Sequence, residues 1–299
     1  MSSSPATDCH PAVRHVAIFG PGLIGASVAM ALRSRCPDTI ISVWGRSEDR
    51  LKEVLSRGLA DFVSTEPLRA VQGADLVILC TPVDSMEKIA ETMSGGLLPD
   101  SVVTDAGSVK HCVMEKMAPL FGGRFVGGHP MAGNEGSGLA AARADLFNSA
   151  PCILTPLAST DPIALQVVGA FWNSLGAEIT TMSPEEHDRL VAYISHLPHA
   201  LAFALVNLAK RSLPDGSLRL AGGSFRDATR VSASNPDLWT GILMENRREV
   251  IPALREMSGL LNSLADRLDH EHIDSLLDFF ARAKEDRDSL SIPFHNRLL

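Results

Sequence analysis

The chain has 299 residues, about twice a common domain size, and is 45% apolar and 21% charged, which suits packed cores and excludes a mainly disordered or collagen-like chain. A formal charge of −8, from 35 acidic and 27 basic side chains, argues against a nucleic-acid binder, whose phosphate contacts need a basic face. Cys9, Cys36, Cys80, Cys112 and Cys152 are scattered, with no CxxC pair and no zinc spacing, so neither a disulfide framework nor a structural metal is expected, and a reducing, cytoplasmic setting is.

Residues 1–12 are polar, carry Pro5 and Pro11 and read as a disordered tail with no secretory signal. No 18 apolar residues run together, so no membrane span is expected. From there to Thr181, short β-branched runs alternate with helical stretches. Strands are predicted at 15–19, 39–43, 76–80, 101–104, 125–126 and 152–154, with helices at 26–34 and 48–56 among the segments between them. Strands this short and this apolar are buried on both faces, which predicts a parallel sheet covered by helices on each side.

Past Thr181 no convincing strand remains. Ser183-Pro184-Glu185-Glu186 reads as a helix start, with Ser as N-cap, Pro in the first turn and Glu186 able to close a capping box. Leu190, Val191, Ile194, Leu197, Leu201, Leu205 and Leu208 follow at helical spacing, and Pro198 should kink that helix. Further helices are predicted at 238–258, 260–267 and 273–286. The expected organisation is therefore a dinucleotide-binding domain over 13–181 and a helical domain over 182–299.

The dinucleotide assignment rests on Gly20-Pro-Gly22-Leu23-Ile24-Gly25, a GxGxxG directly between the first strand and a helix. The first glycine permits the tight turn, the second lets backbone N–H groups reach a pyrophosphate, and the third allows close helix–strand packing. Thr81 and Pro82, after the strand at 76–80, complete the expected cofactor contacts. An NAD site usually has Asp or Glu at the end of the second strand, for the ribose 2′-hydroxyl. Here that place reads Gly45-Arg46-Ser47, which favours NADP, with NAD still possible; otherwise Arg46 is solvated and Ser47 caps the next helix.

Three further clusters carry polar chemistry. Asp105-Ala-Gly-Ser108-Val-Lys110 follows a strand, so Ser108 either bonds a substrate hydroxyl or caps a helix over 109–117. In the glycine-rich stretch 127–138, His129 and Glu135 lie where backbone can approach a ligand, and a neutral His129 can accept a proton. His187, His196 and His199 form a weak metal candidate without an HExxH pattern. Asp227 and Arg230 are spaced to pair and to offer a guanidinium to a carboxylate, or else to form only a surface ion pair.

Taken in order, GPGLIGAS at 20–27, DAGSVK at 105–110, GGHPMAGNEGSG at 127–138, SHLPHALAFAL at 195–205, GGSFRDATR at 222–230 and NPDLWTGILMEN at 235–246 resemble the prephenate/arogenate (cyclohexadienyl) dehydrogenase family. The resemblance implies an α/β Rossmann-like dinucleotide-binding domain followed by an all-α dimerisation domain, in a homodimer. It also implies a small dicarboxylate cyclohexadiene substrate, oxidatively decarboxylated with hydride transfer to the nicotinamide in tyrosine biosynthesis. By the same resemblance, His129 matches the base on the ring 4-hydroxyl and Ser108 a partner of that hydroxyl. His199 and Arg230 match carboxylate binders, Glu135 and Asp227 organise the arginine, and Trp239 matches an aromatic supplied by the partner subunit. No metal, nucleic acid or membrane is implied. The competing readings are a β-hydroxyacid dehydrogenase or imine reductase, against which the GHPMAG stretch counts, and a non-catalytic dinucleotide sensor.

Overall fold

The computed structural model describes residues 13–133, 136 and 138–290. By packing it divides into two compact units, the first ending at Val250 and the second beginning at Ile251. In the first, β1 (His15–Phe19), α1 (Leu23–Arg35), β2 (Ile40–Trp44), α2 (Glu48–Ser56), β3 (Phe62–Ser64), α3 (Pro67–Ala70), β4 (Leu76–Leu79), α4 (Val83–Ser94), β5 (Val102–Asp105), α5 (His111–Phe121), β6 (Phe125–Pro130), β7 (Pro151–Thr155), α6 (Pro162–Ser174) and β8 (Glu178–Thr181) build one sheet in the order β3-β2-β1-β4-β5-β6-β7-β8. The helices α7 (Pro184–Val191), α8 (Leu197–Ser212), α9 (Gly223–Thr229) and α10 (Pro236–Glu245) complete this unit.

Strand alternation builds two cores. Val16, Ile18, Leu76 and Ile78 face a layer with Val28, Leu32, Val168 and Trp172, while Ala17, Phe19, Val77 and Leu79 face Met86, Met93, Met114 and Met117. Both faces are covered, which explains why β1 and β4 are apolar at nearly every position. β1 to β6 run parallel, as expected, but β7 pairs antiparallel to β6, with His129 opposite Ile153. The connection from Met131 to Ala150 carries no α-helix among the described residues, so no crossover turns the chain back, and β8 then runs parallel to β7 through α6. β3 and β8 escape the sequence pattern because each is short and half-exposed or more. Cys80, Cys112 and Cys152 are free thiols, whereas Cys36 is disulfide-bonded, a departure from the expectation of no disulfide.

α7 begins as expected: Ser183 Oγ accepts from the Glu186 N–H at 3.1 Å, and the Glu186 carboxylate accepts from the Ser183 N–H at 2.8 Å. Between α7 and α8 the backbone forms a π-helical turn over Ala192–His196, and Pro198 falls in the first turn of α8. The wider turn absorbs the proline's missing donor and ring, so the helix continues to Ser212. From Pro184 to Ser212 it is long and apolar enough to cross a membrane by length and composition. It also carries His187 and Asp188, both buried in the same unit.

The second unit contains the remainder of α11 (Arg247–Asp269) and α12 (Ile273–Ser289), joined by a turn in which Glu271 takes φ +50°. Within it the Arg267 guanidinium lies 5.2 Å from the centroid of the Phe279 ring.

Ser183→Ala removes one arm of the capping box. It should cost about 1 kcal/mol and lower the unfolding midpoint by about 2–4 °C in a thermal melt, with the sheet's circular dichroism unchanged.

Candidate active site

The fingerprint turn is built by its glycines. Gly20 takes φ +105°, and a Cβ there would lie 2.9 Å from the Cys80 carbonyl oxygen; one on Gly25 would lie 2.2 Å from the Gly20 carbonyl oxygen. A Cβ on Gly22 would meet no protein atom within 4 Å, and α1 starts at this residue with no side-chain cap, so its first N–H groups are open. Gly22, Leu23, Ile24, Thr81 and Pro82 line a cavity of about 660 Å³. The Thr81 hydroxyl oxygen is buried without a hydrogen-bond partner among the described residues. An open helix N-terminus, space over Gly22 and an orphaned hydroxyl are the features that a bound dinucleotide would use.

Arg46 and Ser47 lie outside this lining, at the exposed start of α2. Ser47 is the N-cap of α2, its hydroxyl accepting from the Arg50 N–H at 3.4 Å. Gly45 is enclosed: a Cβ would meet Pro21 Cδ at 3.1 Å and Leu51 Cδ2 at 3.2 Å.

Ser108, His129, Ser195, His199, Arg230 and Trp239 line the same cavity. Ser108 does not cap a helix. α5 begins only at His111, because the Asp188 carboxylate from α7 accepts from the Lys110 N–H at 2.7 Å and from the His111 N–H at 2.9 Å. That acidic group takes the place of a local cap, and the Ser108 side chain is left at the cavity wall.

Behind the wall, Asp105 and Lys110 form a fully buried ion pair. The Asp105 carboxylate also accepts from the Gly107 N–H at 2.8 Å and from the Gly128 N–H at 3.0 Å. It thereby ties the loop after β5 to β6, one residue before His129. A Cβ on Gly128 would lie 2.7 Å from the Asp105 carbonyl oxygen, so this approach requires glycine.

His129, 8% exposed, places Nδ1 2.8 Å from His187 Nε2, and His187 Nδ1 lies 2.8 Å from Asp188 Oδ1. Burial pushes the His129 pKa well below 6.5, with the His187 and Lys110 charges acting the same way. Burial also lowers that of His187, against the opposing pull of Asp188. Asp188 is held below the usual carboxylate value: burial would raise it, but the bonds from His187, Lys110 and His111 outweigh that. From sequence, the adjacent pair His187-Asp188 was noticed, but His187 was weighed only as a metal candidate and Asp188 was given no role. The signal that would have assigned them is that pair's place just inside a strongly capped helix.

The remaining histidines serve separate ends. His196 is buried, its Nδ1 3.0 Å from Asn246 Nδ2, and desolvation brings its pKa down to about 4. His199 is half-buried, its Nδ1 2.9 Å from the Ser195 carbonyl oxygen, and its ring stacks on Trp239 with centroids 3.5 Å apart. With both nitrogens of His187 engaged, the three histidines do not converge on a metal, and no metal-holding group occurs among the described residues. Within the single chain Trp239 lines the cavity that His199 borders. Arg230 is exposed at the cavity's edge, and Asp227 is exposed on α9 outside the lining. Glu135 lies outside the described residues.

The chain matches the prephenate dehydrogenase nucleotide-binding domain over residues 28–181 and the prephenate dehydrogenase dimerization domain over 183–282. It is 37% identical to the cyclohexadienyl dehydrogenase of Zymomonas mobilis, covering 93% of this chain and 96% of that one. Against the prephenate dehydrogenase of Bacillus subtilis it is 34% identical, over 93% of this chain and 76% of that one. A crystal structure of Aquifex aeolicus prephenate dehydrogenase, in complex with hydroxyphenyl propionate and NAD+, superposes with a TM-score of 0.86 at 34% identity, covering 92% of this chain and 97% of that one. Synechocystis arogenate dehydrogenase gives 0.79 at 33% identity, covering 92% and 99%.

Asp188→Asn keeps the shape but loses the charge that two N–H donors and His187 share. It should destabilise the fold by about 2–3 kcal/mol in denaturant titrations at neutral pH. The folded Asp188 pKa lies below the unfolded one, so its contribution is complete above the unfolded pKa and is lost as pH falls through the folded value. The variant's deficit should therefore shrink on acidification below about pH 4.

Proposed function

The chain belongs to the prephenate dehydrogenase family, and from that premise we propose that it oxidatively decarboxylates prephenate, arogenate or both in tyrosine biosynthesis, with NADP preferred over NAD. The observation that carries the proposal is that His129, Ser108, His199 and Arg230 border one cavity with the dinucleotide fingerprint.

When bound, the nicotinamide supplies the hydride acceptor for the ring 4-carbon. His129 removes the proton of the 4-hydroxyl, assisted by Ser108. As hydride leaves that carbon, the C–O bond gains carbonyl character, and the bond to the ring carboxylate across the ring breaks. Its electron pair enters the ring, CO₂ departs, and the aromatic phenolate oxygen recovers the proton from His129. The chain's task is alignment and proton transfer. Arg230 holds a substrate carboxylate by charge; His199, whose Nδ1–H is given to the Ser195 carbonyl oxygen, holds another through Nε2–H as the imidazolium that the approaching carboxylate favours, while Trp239 fixes the His199 ring by stacking. Arg46 and Ser47 receive the 2′-phosphate of NADP; the absence of an acidic residue at this turn supports that preference.

The segment matched by the dimerization domain forms a homodimer. Exposed apolar side chains within each unit, Leu205 and Leu208 in the first and Leu261, Leu277 and Phe280 in the second, support this assembly.

Initial rates with prephenate and arogenate, each crossed with NADP⁺ and NAD⁺, test the proposal; folded protein inactive in all four combinations refutes it. His129→Asn should lower kcat by about 10²–10⁴-fold with cofactor affinity intact. Because burial holds His129 below its ordinary pKa, kcat/KM should stay level as pH falls to 6.5 and decline only below it, where protonation removes the base. Arg46→Ala should erode the NADP preference; Gly45 is too enclosed for a side chain there to be a clean probe.

A further inference from the structure

Cavity-bordering His129 is the outer member of a buried line of hydrogen-bonding groups: His129 Nδ1 to His187 Nε2 at 2.8 Å, then His187 Nδ1 to Asp188 Oδ1 at 2.8 Å. His187 is fully buried and Asp188 nearly so. The direction of each bond follows from its inner end. Both Asp188 oxygens already accept backbone N–H groups, from Lys110 and His111, and a carboxylate so placed only accepts. Its bond with His187 therefore requires the proton on His187 Nδ1. A neutral imidazole protonated there has its lone pair on Nε2, so the bond to His129 requires the proton on His129 Nδ1. The remaining nitrogen of His129, Nε2, is then a bare lone pair on the cavity side.

We propose that His187 and Asp188 are positioning residues that hold His129 in the Nδ1-protonated tautomer, with Nε2 ready to take the substrate's proton. This rests on the activity proposed above. The line also steadies the proton once taken, since the His129 cation donates to His187 Nε2. Lys110 stands close enough to disfavour that cation, but its charge is paired with Asp105; His196 is the other titratable neighbour facing His129. Both histidines are held neutral by burial, the state that this pattern of protons requires. In the Ser-His-Asp hydrolases a carboxylate fixes the base's tautomer in the same way, and losing that control costs about 10⁴-fold in turnover.

The test begins with the wild-type protein without substrate. With ¹⁵N-labelled histidine and the His129 signals assigned by their loss in His129→Asn, His129 should show a protonated Nδ1 and a bare Nε2 near pH 7.5. Finding the proton on Nε2 overturns the proposal, whether or not any substrate is turned over, so this failure is distinguishable from failure of the assigned activity. His187→Leu removes the acceptor and should shift His129 toward the Nε2-protonated tautomer. It should also lower kcat by about 10²-fold or more, with the KM for the dinucleotide within about twofold. His187→Gln offers an amide oxygen where Nε2 stood, and should keep both the tautomer and turnover within about tenfold of wild type. A merely structural His187 would leave the tautomer unmoved in the folded fraction of either variant. If His187→Leu does not fold, the wild-type spectrum and His187→Gln decide: an unchanged tautomer with turnover near wild type in His187→Gln supports the line, and a tautomer reversed in that variant overturns it.

Discussion

A buried carboxylate cannot remain charged without donors around it, and the way Asp188 meets that demand organises the end of the sheet that borders the cavity. Its oxygens take the first N–H groups of α5 and the Nδ1 side of His187, while its own backbone carbonyl receives Asn246 Nδ2 at 2.8 Å. One residue of α7 is thus bound to the loop after β5, to a histidine behind β6 and to the end of α10. The three bonds to its carboxylate are stronger than neutral ones because that partner is ionised. Losing the charge would leave several donors stranded in a dry interior at once. The Asp105–Lys110 pair meets the same demand one layer away and fixes the backbone on which His129 stands.

The helix that carries Asp188 also presents His199 to the cavity, and the two must sit on helix faces that an unbroken α-helical register would not necessarily supply. The π-helical turn over Ala192–His196 inserts an extra residue between them and receives Pro198 without ending the helix. Local strain from a proline is thereby converted into a change of side-chain phase. Only 28% of the most apolar window of this 29-residue helix is buried, yet His187 and Asp188 near its start are enclosed among hydrogen-bond partners. Its buried His187 and Asp188 would find no such partners in a bilayer.

Most of the sheet was readable because buried parallel strands are written in continuous β-branched runs: β1 and α2 fall where the pattern puts them, and the five other expected strands lie within a few residues. β3 and β8 were not readable, being edge strands with too little apolar surface to stand out. The reversal at β7 depends on what the connection lacks, which a periodicity search does not register. Ser108 shows the limit for the site. From sequence, capping and substrate contact were equally open, and the choice was made by Asp188, far along the chain on α7. His187 failed for a related reason: a histidine's role depends on which group meets each nitrogen, and spacing along one helix says nothing about a partner on β6.

On the proposed reading, the division of charge across the cavity accounts for a base that is a histidine held neutral. A substrate with two carboxylates calls for cationic anchors, and Arg230 at the exposed edge has that character without a desolvation cost. A proton acceptor for the ring hydroxyl needs the opposite treatment, since a permanent cation there could take no proton and a carboxylate would repel the dianionic substrate. Burial supplies the neutral state at His129, and the Lys110 ammonium favours it too, with its charge partly offset by Asp105. Neutrality alone leaves two tautomers of nearly equal energy, only one of which points a lone pair at the cavity. A line of bonds ending on a fixed carboxylate removes that ambiguity at little cost in reactivity, because the intervening imidazole is itself neutral and keeps the negative charge of Asp188 away from the substrate.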